Sequence, residues 1–185
     1  MLSTVEHTEL FTDHMHALVR AGGMVGKYCD RSEHAEGPVA VFVEVGTVLR
    51  AQAVMLAQEL GQELGELYAH RLHRVEVRNP AYALGEFDGL AAVRAAVTWR
   101  DWQLAQLRHD RTYHPDVFGL SKYEQVRHFA FHLQYLTWLA DEASTTSALQ
   151  SSYISDRIPD VLLFGLKFAT VAGHALPPEP LTQLA

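Results

Sequence analysis

The chain carries one cysteine, Cys29, in 185 residues. That excludes an internal disulfide framework and a cysteine-rich zinc site. Positive charge is also short: 15 Lys and Arg stand against 22 Asp and Glu, for a formal net charge of -7. No global basic field is available to draw in nucleic acid. The N-terminal stretch lacks a basic segment followed by an apolar one, so no secretory leader is expected. The most apolar stretch, Val161 to Gly173, is interrupted by Lys167 and falls short of a bilayer span. Strand-like alternation with hairpin turns is missing, and Val41-Phe42-Val43 is the one local ambiguity. There is no Gly-rich phosphate loop, no Gly-x-Ser-x-Gly elbow, and neither the His-Glu-x-x-His nor the Glu-x-x-His metal signature. Hydrophobic residues at 48% and charged residues at 20% are nevertheless an ordinary globular balance. A cytoplasmic, single-domain protein that binds neither membrane nor nucleic acid is expected.

What is present is helical periodicity. The pattern predicts an all-α bundle of about five helices in one domain over 1–185, with 176–185 as an extended tail. Ser3 and Glu6 read as a capping box for the first helix, with Leu10, His14, Leu18, Ala21 and Val25 on its apolar stripe. The second is expected to start behind Pro38 and run without interruption from about Val39 to Arg74, through Leu49, Ala53, Leu56, Leu60, Leu64 and Leu67. The third starts at the cap Asp88 and continues past Leu104, and the stretch from Thr112 to Leu120 breaks it. Ser121 and Glu124 open the fourth, and a Ser/Thr-rich loop from Ser144 to Ser152 leads to the fifth. That fifth helix is apolar on nearly every face from Val161 to Val171, as expected at a bundle centre or an oligomer interface.

On the long second helix, Glu59, Glu63 and Glu66 fall at i, i+4 and i+7 and share one face with His70. Like charges at that spacing repel, and a divalent cation would reverse the sign. Gly61 and Gly65 each cost about 1 kcal/mol in a helix interior, an expense that a close neighbour would offset. Glu63-Leu64-Gly65-Glu66-Leu67 resembles the E-x-x-E element of the MazG-like all-α nucleoside triphosphate pyrophosphohydrolases. The segment Arg157-Ile158-Pro159-Asp160-Val161-Leu162-Leu163-Phe164 is similar to the surroundings of that family's E-x-x-D element, with Arg157 where a glutamate is expected. The resemblance implies a hydrolase in which Glu59, Glu63, Glu66 and Asp160 hold Mg2+, with Glu63 and Glu66 catalytic. Its products would be pyrophosphate and a nucleoside monophosphate. Arg108, Arg111, His114 and Lys122, clustered at one helix junction, would contact the nucleotide's phosphates, as would Arg157 and Lys167.

Eleven histidines raise a second expectation. Glu124, His128 and His132 share a face of the fourth helix, and His7 and His14 a face of the first. If those helices are neighbours, the five residues supply nitrogen and oxygen ligands for Fe or Zn. His16, His34 and His109 read as surface residues. A third expectation is a non-catalytic bundle that forms a homo-oligomer or binds a partner through the fifth helix and the pair Trp99 and Trp102.

Overall fold

The structure is a computed structural model and describes residues 4–32 and 40–181. Most of those residues are helical, in helices α1 Thr4–Ser32, α2 Ala40–Glu59, α3 Leu64–Glu76, α4 Gly89–Ala95, α5 Trp99–Tyr113, α6 Pro115–Phe118, α7 Lys122–Ala143, α8 Ser147–Asp156 and α9 Ile158–Val171. A 3-10 turn over Pro80–Leu84 joins α3 to α4. The described residues contain no strand, only an isolated bridge between Thr98 and Pro180. The all-α class expected from periodicity holds, with more and shorter helices than the five anticipated. Ser3, Pro38 and Val39 lie outside the described residues.

Helix α9 forms the centre. Its residues from Ile158 to Leu166 are all buried, and it packs against α2, α3, α5, α7 and α8. A helix with no polar stripe has only this place to go in water. It meets α2 backbone to backbone at Gly46 and Gly165. A Cβ on Gly46 would lie 2.8 Å from the Gly165 carbonyl oxygen, so the approach requires a residue without one. Arg50, one turn along α2, donates to that same carbonyl at 3.3 Å, and burial lowers its pKa to about 10. Helix α2 is long and apolar enough, by length and composition, to cross a membrane, and 44% of that apolar window is buried here. Helix α1 lies along α7 and α2, with Phe11, Leu18, Ala21 and Val25 fully buried.

Two expected helices are each divided in two. The second stops at Glu59 because Gly61 takes φ 63°. Its N–H bonds to the Gln58 carbonyl at 3.0 Å and the Gln62 N–H reaches the Ala57 carbonyl at 2.7 Å. This pair of bonds closes a Schellman cap. The third stops after α4 because Thr98 and Asp101 form a capping box that starts α5 afresh. The expected caps at Asp88 and at Ser121 with Glu124 are both present. The Ser/Thr-rich segment is mostly helix α8, started by the Thr146 hydroxyl. Of the expected tail, residues 182–185 lie outside the described residues, and the rest is anchored: Leu176 is buried and its N–H donates to the Gln103 side chain at 2.8 Å.

Candidate metal centre

A cavity of about 220 Å3 opens where α3, the α5–α6 junction, α7 and α9 converge. Its wall includes Arg71, His109, His114, His128, His132, Arg157, Asp160 and Lys167, and Leu136 and Phe164 supply apolar surface. The junction is shaped by Pro115, which cannot donate into the preceding helix and opens α6. His114 closes α5, with φ -132° and ψ 47°. That departure from helix brings His114 beside His109, ring centroids 5.5 Å apart, although i and i+5 do not share a helix face. Ligand atoms of His109, Asp110 and His114 all lie within 4.8 Å of one another. One ion held by all three would need them at about 2.0–2.2 Å, so this spread would have to contract on binding.

His109 decides what the cluster is for. It is 1% exposed, and neither ring nitrogen has a hydrogen-bond partner. Its Nδ1 stands 3.9 Å from Asp110 Oδ1 and its Nε2 3.9 Å from Glu76 Oε1. Burying an imidazole with both nitrogens idle costs free energy that a bound ligand would return. Behind it, Glu76 is fully buried on α3, and its Oε1 accepts the Gly89 N–H at 2.8 Å. A Cβ on Gly89 would lie 2.2 Å from that oxygen, so α4 begins with the one residue that leaves the carboxylate room. Glu76 Oε2 has no partner, and His73 Nδ1 lies 3.9 Å from it. Burial raises the Glu76 pKa, against the Gly89 hydrogen bond and His109, which lower it. A carboxylate on the far nitrogen of a ligating histidine is the usual outer partner in such centres.

Asp110 is the charged member. Burial works to raise its pKa, and His109, Lys167 and Gln106 together outweigh that and lower it. Lys167 Nζ lies 2.9 Å from Oδ1 and Gln106 donates to the same atom at 2.9 Å, leaving Oδ2 outside these contacts. Burial, reinforced by Lys167, holds His114 down at about 4, and burial with His128 and Lys167 does the same for His132. His128 is lowered chiefly by burial. The rings of His114, His128 and His132 are therefore neutral at pH 7, the form that binds metal. His128 and His132 meet Nε2 to Nε2 at 3.2 Å, one donating its proton to the other. Across the cavity, Asp160 accepts from Arg71 Nε at 2.6 Å and from Arg157 at 3.1 Å.

The expected sites are redistributed. Glu59, Glu63 and Glu66 are exposed, none lines the cavity, and the turn at Gly61 takes them off a common helix face. Glu63 is the N-cap residue of α3, and Glu66 pairs with Arg94 at 2.7 Å, which lowers its pKa. Asp160 is the one member of the proposed Mg2+ set in the cavity. Of the histidine set, only His128 and His132 are there. The helices carrying the set are neighbours, but His14 points to α2 and α8, bonded to Gln52 at 3.0 Å and to the Tyr153 hydroxyl at 2.6 Å. His7 meets Gln150 at 3.3 Å, and Glu124 is occupied with capping Ser121. Of the six expected phosphate contacts, His114, Arg157 and Lys167 line the cavity, and Arg108, Arg111 and Lys122 do not. Arg108 lies over Phe87, Arg111 over Phe118 and Lys122 over Phe42. Trp99 and Trp102, at 3% and 5% exposed, are core residues, and the apolar fifth helix is buried with them. His109, read as a surface residue, is buried at the centre of the site. The signal available for it was His109-Asp110 followed by His114-Pro115, a histidine pair whose spacing works only where a helix ends.

No protein-family model, curated protein or solved structure matches this chain.

Proposed function

We propose that the chain is a metalloprotein whose His109, Asp110 and His114 hold a divalent transition-metal ion, Zn2+ or Fe2+, at the wall of the cavity. The observation that carries this reading is the fully buried His109, neither nitrogen within hydrogen-bond distance of a partner and each 3.9 Å from a carboxylate oxygen, beside a neutral imidazole. Mixed nitrogen and oxygen donors suit Zn2+ or Fe2+ better than Mg2+, which prefers oxygen and keeps its waters. Such an ion would supply Lewis acidity to a molecule in the cavity. Glu76 orients His109, Lys167 restrains Asp110, and Leu136 and Phe164 limit water around the site.

The test is metal content by mass spectrometry after purification without chelator, followed by Zn2+ and Co2+ titration of the stripped protein. One tight site, lost in His109→Ala and His114→Ala and kept in His7→Ala, is the expected result. Failure of the intact chain to take up any of these ions overturns the reading.

The nucleotide reading implied by the MazG-like resemblance is a rival, supported by Asp160 standing in the cavity among Arg71, Arg157 and Lys167. It predicts Mg2+-dependent pyrophosphate release from nucleoside triphosphates that Glu63→Ala/Glu66→Ala protein lacks. Activity that survives that double substitution removes Glu63 and Glu66 from the mechanism.

A further inference from the structure

Arg71 and Arg157 face two spaces at once. Behind them is the histidine cavity; in front is a groove of about 250 Å3, whose polar lining is Arg71, Arg74, Arg78, Asp156 and Arg157. We propose that this groove and the cavity behind it form one binding site for a small molecule carrying a phosphate or diphosphate group. The arginines hold the oxyanion and the cavity takes the remainder of the molecule. This deepens the proposed function by naming the class of substrate, and it rests on the metal centre only for the part of the ligand inside the cavity.

The charge balance carries the argument. Four guanidinium groups meet only two carboxylates, since Asp156 pairs with Arg74 and Asp160 is shared between Arg71 and Arg157. Arg78 is exposed and has no ion pair among the described residues. An excess of two positive charges is thus held on one groove of a chain whose overall charge is -7. Nothing in the fold requires it there, because exposed arginines add little stability. The N-terminus of α9 does not enter this count, as Asp160 in its first turn already answers the dipole.

The chemistry of the groups selects the ligand. Arg71 uses Nε on Asp160 and Arg157 uses one terminal nitrogen, so each keeps further N–H donors in the plane of its fork. Planar forks of this kind match the oxygens of phosphate, which accept two parallel bonds. Asp160 fixes both forks from below, so little side-chain entropy remains to be lost on binding. Deeper in, the neutral ring of His132, stacked on Phe164 at 4.8 Å, offers a flat apolar surface. Lys167 is taken by Asp110 and does not compete for the oxyanion.

The test is calorimetric titration of the full chain, stripped with chelator, with inorganic pyrophosphate, orthophosphate and succinate at low and moderate salt. Saturable pyrophosphate binding at one site is expected, with affinity reduced at least about fivefold in Arg78→Gln and in Arg157→Gln. Arg108→Gln, in neither space, should bind as the unaltered chain does. Arg78 makes no contact that the fold depends on, so its variant remains informative if Arg157→Gln misfolds. Absence of saturable binding, indifference to Arg78→Gln, or preference for succinate over pyrophosphate each overturn the proposal. Metal uptake without pyrophosphate binding sinks the groove alone, and pyrophosphate binding without metal uptake sinks the metal centre alone.

Discussion

Glu76 is a fully buried carboxylate with one oxygen outside any hydrogen bond, pressed against a glycine and flanked at 3.9 Å by His73 and His109. Such a group destabilises a fold unless it serves a neighbour. If it orients His109, Glu76→Gln keeps the shape and removes the charge behind the ligand, and metal affinity should fall about 10-fold to 100-fold. Competition with a chromophoric chelator measures this, and unchanged affinity in a folded variant removes Glu76 from the centre. His14 makes a different prediction. Burial lowers its pKa from 6.5 to about 4, opposed by the Gln52 hydrogen bond. The unfolded chain therefore binds a proton at this position that the folded chain refuses. Stability is undiminished above pH 6.5 and declines as pH falls from there to about 4, by roughly 3 kcal/mol from this residue alone. Denaturant midpoints across that range should show a shallower slope in His14→Gln than in the unaltered chain. Equal slopes would show that His14 is not the sensor.

Between elements, the closest fit is α2 on α9. Gly46→Ala puts a methyl carbon 2.8 Å from a backbone oxygen, which the two helices can relieve only by separating. A loss of about 1–3 kcal/mol is expected, and thermal unfolding will show it. Gly61→Ala has open space around it and suffers only from its positive φ, so about 1 kcal/mol is the expected cost. If the two substitutions cost the same, helix contact is not what Gly46 provides. The glycines also explain where reading the sequence succeeded and where it failed. Apolar stripes identified the helices and the buried α9, and capping residues identified the starts at Asp88 and Ser121. Leu60, Leu64 and Leu67 continue the stripe of α2 across a real break, so periodicity alone carries straight through it. Gly61, weighed as an interior glycine, was the stop signal, as was Thr98 with Asp101 for the next helix.

At the scale of the whole molecule, the cavity draws on α3, α5, α7 and α9, which are distant in sequence and meet only after folding. Same-face spacing on one helix could nominate His128 and His132, but not their company with His114, Asp160 and Arg71. The histidines of α1 failed for a related reason: their helix is adjacent to α7, yet their side chains turn to α2 and α8. Removing residues 175–185 should lower the melting temperature without altering metal uptake. The described part of the tail is anchored through Leu176 on α5 and the bond from Leu181 N–H to the Val97 carbonyl, and among the described residues it does not line the cavity. Loss of metal uptake in that truncation would place the tail in the site. The pairing of α2 with α9 has one more consequence, in the order of synthesis. Arg50 and the Gly165 carbonyl it meets are 115 residues apart. A ribosome adding about 5–20 residues each second leaves the most membrane-like segment of this chain without its partner for several seconds. During that interval, of the helices that pack on α2, only α1 and then α3 are available to shield it. Yield in cells should therefore depend on holdase chaperones far more than the stability of the finished protein would suggest.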